Sequence, residues 1–118
     1  MNNIQISENF KLREFECRCC GAVKLEKELL DRLQAMRTEV RRPMIIRSAF
    51  RCPSHNSSVG GAVRSQHLEG KAVDFWIPGL TIAEQRQLAE KYFPNDGVGY
   101  GNSFTHVDTR GFKARWSY

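Results

Sequence analysis

The sequence predicts an α+β fold built on a small, mainly antiparallel sheet flanked by helices. Two stretches carry helical periodicity, several short apolar or aromatic runs read as strands, and the two kinds of element do not alternate in the βαβ rhythm of a parallel sheet. A hairpin is expected to close the chain. At 118 residues the length suits one compact unit burying roughly two-thirds of its unfolded surface, so one domain over 1–118 is expected. The apolar share of 41% and the charged share of 26% are ordinary globular values and argue against a disordered or fibrous chain.

In chain order, Leu29, Leu30, Leu33, Met36 and Val40 recur at helical spacing from Glu26 onward, with charges on the other face, and predict an amphipathic helix to about Val40. Pro43 ends any helix, and Met44-Ile45-Ile46 then suits a buried strand leading into Ser48-Ala49-Phe50-Arg51. From Cys52 to Gln66 the chain is rich in Ser, Gly and Asn, which predicts a short helix inside a long loop. Lys71 to Ile77 reads as a strand, and Thr81 caps a helix to about Tyr92. After the turn at Pro94-Asn95-Asp96-Gly97, Val98-Gly99-Tyr100 and Phe104 to Thr109 read as two final strands joined by Gly-Asn-Ser.

A net charge of +5 suits nucleic acid, anionic lipid or an acidic wall polymer without choosing among them. No run approaches the roughly 18 apolar residues of a membrane span, so no membrane insertion is expected. The opening MNNIQISENF lacks a basic region followed by an apolar one, so no signal peptide is expected. Nucleic acid is not expected as a partner, because no helix with clustered Arg and Lys follows the cysteines.

Four cysteines are too few for a disulfide scaffold. Cys17-Arg18-Cys19-Cys20 holds a C-x-x-C pair and Cys52-Pro53-Ser54-His55 a C-x-x-H pair. Cys17, Cys20, Cys52 and His55 would together make a structural zinc site. Buried free thiols and a disulfide are the other readings.

Two of the three histidines lie beside the features that a catalytic zinc site needs. Such a site takes three ligands from His and carboxylate and leaves one position open. His67, Asp74 and His106 supply that set. Asp74 falls within the apolar strand KAVDFWI, where an unpartnered carboxylate costs several kcal/mol, and a metal ion would account for its position.

The pattern S-x-H-x-x-G-x-A-x-D from Ser65 to Asp74, followed by H-x-D at His106-Val107-Asp108, resembles peptidase family M15. That family comprises zinc D-Ala-D-Ala carboxypeptidases and L,D-endopeptidases that share a fold with the Hedgehog signalling domain. The resemblance runs from Asn9-Phe10 and Glu14-Phe15 through Ser48-Ala49-Phe50-Arg51 and His55-Asn56 to Gly97-Val98-Gly99. It implies one catalytic Zn2+ held by His67, Asp74 and His106, with a second, structural ion possible. It also implies hydrolysis of D-amino-acid-containing peptide bonds in bacterial peptidoglycan by a metal-activated water. The small size looks like that of phage endolysin-type members, which implies a probable monomer made in the cytoplasm that meets the wall after release or as part of a virion.

Arg51 matches the arginine that the family places upstream of its first histidine and would stabilise an oxyanion, with Arg47 as its neighbour and competitor. Some relatives carry Glu or Asp three residues before the last histidine, where this chain has Ser103. Ser cannot serve as a general base. Asp108 is the substitute, two residues from His106 and so on the same strand face, either as base or as a group that orients the histidine. Glu69 reads as a solvated surface carboxylate. Ser65, Gln66 and His55 would line a substrate groove, although His55 would equally cap the short helix. Trp116 and Tyr100 would pack on substrate or in the core. The missing carboxylate leaves an alternative, a catalytically inactive metal-binding module that binds cell-wall peptides.

Overall fold

A computed structural model describes residues 3–118. A 3₁₀ turn at Leu12–Phe15 precedes helix α1 (Lys27–Val40), strand β1 (Ile45–Ser48), the short helix α2 (Pro53–Ser58), a second 3₁₀ turn at Gln66–Glu69 and strand β2 (Ala72–Trp76). Helix α3 (Ile82–Tyr92) and strands β3 (Gly97–Tyr100), β4 (Thr105–Asp108) and β5 (Ala114–Ser117) complete the chain. The architecture is α+β, and the five strands lie in the order β1-β2-β4-β3-β5.

Local chemistry accounts for the element boundaries. Leu29, Leu33 and Met36 form the buried stripe of α1, spaced at one and two turns, and Arg41 ends the helix in the left-handed region. Thr81 Oγ1 accepts from the Glu84 N–H at 3.1 Å while Glu84 reaches back to the Thr81 N–H at 2.9 Å, a reciprocal cap that starts α3. In the second 3₁₀ turn Ser65 Oγ accepts from the His67 N–H, and Gly70 at φ 71° reverses the chain into β2.

The closing hairpin forms as β3 and β4, but the chain does not stop there. It continues into β5, which pairs in parallel with β3, so the sheet is antiparallel except at one edge. The run Ala114-Arg115-Trp116-Ser117 alternates apolar and polar residues over only four positions and holds no β-branched residue, too little to announce a strand. Its pairing comes from the exposed edge of β3.

The register of β2 and β4 separates two faces. Asp74 lies opposite His106 and Ala72 opposite Asp108, while Val73 faces Val107 and Phe75 faces Thr105. Side chains alternate across a strand, so Val73, Phe75 and Val107 join Leu29, Leu33, Met36 and Phe93 in the apolar core. Asp74, His106 and Asp108 stand on the opposite face, buried but polar.

Candidate metal centre and its cavity

Two neighbouring strands and one loop bring His67, Asp74 and His106 together. One donor atom of each lies within 4.8 Å of the others, and all three residues are buried. His67 Nε2 stands 3.3 Å from Asp74 Oδ1, and His106 Nδ1 stands 3.0 Å from the same oxygen. The rings of His67 and His106 meet edge-on, with centroids 5.1 Å apart.

The hydrogen bonds fix which nitrogen is free to bind. His67 Nδ1 lies 2.7 Å from the Ala49 carbonyl oxygen, which only accepts, so the proton of a neutral imidazole sits on Nδ1. Nε2 is then left with a lone pair, fully buried, hydrogen-bonded to nothing and aimed at a carboxylate oxygen. Two lone pairs at that distance repel unless a cation stands between them. The donor set therefore fits a metal ion, with His67 Nε2, His106 Nδ1 and an Asp74 oxygen as its donors.

Asp108 stands behind this centre. Its Oδ2 is 2.7 Å from His106 Nε2, and its carboxylate also takes the Gly97 N–H, the Arg110 N–H and the Arg110 guanidinium at 2.7 to 3.2 Å. The side chain is wholly buried. A Cβ on Gly97 would lie 2.3 Å from Asp108 Oδ2, so only glycine leaves room for the carboxylate there. Burial would lower the His106 pKa, but Asp108 and then Asp74 outweigh it and raise the value.

The centre opens into a cavity of about 580 Å³. Arg51, Arg64 and Arg110 line it, as do the rings of Phe104, Trp116 and Tyr118. Arg51 reaches Asp74 Oδ2 at 3.3 Å and is braced by Ser48 Oγ at 3.1 Å and Asn56 Oδ1 at 3.2 Å. Trp116 packs on His106 with centroids 5.0 Å apart, and its ring occupies the space where a Cβ on Gly99 would stand. Arg110 lies over the Trp116 ring, 4.7 Å from its centroid.

Of the residues expected at a groove or against substrate, Ser65, Gln66 and Trp116 line the cavity, whereas His55 and Tyr100 do not; nor do Glu69 and Ser103. Tyr100 instead donates its hydroxyl to Glu90. Ser103 Oγ accepts from Arg47 Nη1 at 3.4 Å on the exposed surface. Tyr118, Phe104, Arg64 and Arg110 are cavity residues that sequence reading passed over. Arg110 carried one signal, its position two residues beyond Asp108.

A second cluster of donors lies apart. Cys17, Cys20 and Cys52 converge within 4.8 Å of one another, but the His55 ring does not join them. His55 stands at the third position of α2, where its backbone N–H donates to Cys52 Sγ at 3.4 Å, so that Cys52 caps the helix start. The C-x-x-H spacing thus reports a cap rather than a ligand pair.

Two imidazoles and a carboxylate at the floor of an open cavity could hold a metal ion and leave a position open toward the cavity. The family model for Peptidase M15 matches residues 8–108, and the chain belongs to that family. Over 54 residues, 44% of this chain, it is 44% identical to the probable peptidoglycan L,D-endopeptidase MepK of Haemophilus influenzae. The matched stretch spans 28% of that protein's length.

Proposed function

We propose that this chain is a zinc peptidase that hydrolyses peptide bonds involving D-amino acids in bacterial peptidoglycan. The observation that carries the reading is the buried, unpartnered Nε2 of His67, directed at Asp74 and His106 at the floor of a cavity lined by arginines. Membership of the M15 family and the partial likeness to a probable peptidoglycan endopeptidase support it. Stem peptides of the wall carry free carboxylates, which Arg64 and Arg110 suit in charge.

Bound zinc would polarise the scissile carbonyl and acidify a water. The chain supplies the rest. The Ala49 carbonyl holds the His67 tautomer, and Asp108 accepts from His106 Nε2 so that Nδ1 faces the centre. Arg110 and the Gly97 N–H in turn hold Asp108. With every partner of Asp108 engaged and no exposed surface, its role in this reading is to position His106 rather than to exchange protons with substrate. Arg51, braced by Ser48 and Asn56, stands where it would stabilise the oxyanion.

One observation favours a second reading, a module that binds wall peptides without cutting them. Among the described residues, Asp74 is the only carboxylate lining the cavity, so no separate general base faces it. Purified muropeptides incubated with the zinc-loaded protein and with His67→Ala, with products identified by mass spectrometry, decide between the two. Cleavage lost in the variant supports the peptidase and identifies the bond. No cleavage by the zinc-loaded protein, with muropeptide binding retained, supports the binding module.

A further inference from the structure

The cysteine cluster lies outside the peptidase site, and its geometry has its own logic. Cys17-Arg18-Cys19-Cys20-Gly21 forms a tight turn closed by the Cys17 N–H to the Ala22 carbonyl at 2.7 Å and the Gly21 N–H to the Cys17 carbonyl at 2.9 Å. Gly21 sits at φ 76°, a conformation that favours glycine. Backbone donors from the loop after β1 meet the sulfur atoms: the Cys52 N–H donates to Cys17 Sγ and the His55 N–H to Cys52 Sγ, each at 3.4 Å. Such convergent N–H groups make an anion-binding concavity that suits thiolates better than thiols.

Three sulfur atoms, those of Cys17, Cys20 and Cys52, meet here. A disulfide would join two of them and leave the third unpaired beside it. Thiolates about 2.3 Å from a tetrahedral zinc lie roughly 3.8 Å from one another. The spacing of Cys17, Cys20 and Cys52, within 4.8 Å of one another, accommodates that arrangement with little movement.

We propose that Cys17, Cys20 and Cys52 are the thiolate donors of a structural zinc site that fastens the N-terminal segment to the loop after β1. That loop carries Arg51. The Phe50 N–H already donates to the Phe15 carbonyl at 3.2 Å and the Arg51 N–H to the His67 carbonyl at 3.1 Å. The ion therefore braces, from behind, the backbone that delivers Arg51 to the cavity. This site does not depend on the function proposed above.

The test uses full-length His67→Ala protein, which disables the peptidase centre, loaded with zinc or with cobalt alone. The expected result is about one equivalent of tightly held zinc per chain, and a cobalt form with intense thiolate-to-metal charge-transfer absorption. Adding Cys52→Ser should remove both. Cys17 is buried and its replacement risks misfolding, so Cys20→Ser, at an exposed position, is the second variant and should also lose the ion. A cobalt spectrum without thiolate character overturns the proposal. So does retention of the full equivalent in Cys20→Ser, or a thiol titration showing an oxidised pair in freshly purified protein.

Discussion

Strands β2 and β4 have two faces, both buried, that are built from opposite chemistry. Val73, Phe75 and Val107 are fully buried on the helix side, while Asp74, His106 and Asp108 are buried to nearly the same degree on the cavity side. Burial does not distinguish these faces; the partners do. On the helix side Val73, Phe75 and Val107 meet other apolar groups in one core. On the cavity side each polar atom has a named partner, and the exception, His67 Nε2, faces the donors of the candidate centre. Because the strand period is two, stability and chemistry sit on alternate residues of the same strand and should be separable by substitution.

The largest separation is expected from Phe75→Ala. Truncating a wholly buried Phe should lower stability by about 3–5 kcal/mol in urea unfolding. The folded fraction should still bind zinc at the unaltered centre. A variant that unfolds at the wild-type midpoint would break the comparison, and one that also loses zinc in its folded fraction would show the two faces to be coupled.

Next comes Arg51→Ala, on the cavity side. If Arg51 stabilises the oxyanion, kcat should fall by about 10²–10³, equivalent to roughly 3–4 kcal/mol of barrier, at saturating zinc. A change in KM alone, with kcat intact, would make Arg51 a substrate anchor. Asp108→Asn should act more gently and through the metal, weakening zinc affinity by about 10- to 100-fold as His106 loses its orienting carboxylate. Isothermal titration with zinc reads this directly. If zinc affinity is unchanged while activity at saturating zinc collapses, Asp108 takes part in proton transfer after all.

These contrasts also explain what could be read from sequence. The continuous apolar run of β2, broken by Asp74, located both the core and the odd residue within it, because a carboxylate in such a run has few physical explanations. Leu29, Leu33 and Met36 placed α1 in the same way, through periodicity. Strand β5 was not legible. Its residues alternate in use, Trp116 toward the cavity and Arg115 toward α3, but neither is aliphatic, and the space for the Trp116 ring exists only because Gly99 lies beside it.

The same alternation on the edge strand predicts the smallest effect, one confined to pH. Arg115 meets Glu90 Oε2 at 2.8 Å from Nε and Glu90 Oε1 at 2.8 Å from Nη2, and Tyr100 donates its hydroxyl to the same carboxylate. Arg115 first, and Tyr100 with it, holds the Glu90 carboxyl below its ordinary 4.5, against a smaller opposing effect of burial. Folded and depressed, it contributes stability that is present above the unfolded value and lost as pH falls through the folded one. Tyr100 moves the other way: burial first, then Glu90, raises its hydroxyl above 10.0, so its contribution is present below that value and lost as pH climbs beyond it. The Glu90 side chain is 40% exposed, so solvent screening should limit each arm to less than about 1 kcal/mol. Chemical unfolding across pH should therefore lose its alkaline arm in Tyr100→Phe, and lose the Glu90 part of both arms in Glu90→Gln. Neither residue lines the cavity, so kcat should stay level in both. A fall in kcat in either variant would mean that the outer edge of the sheet, through Trp116, sets the geometry of the centre it borders.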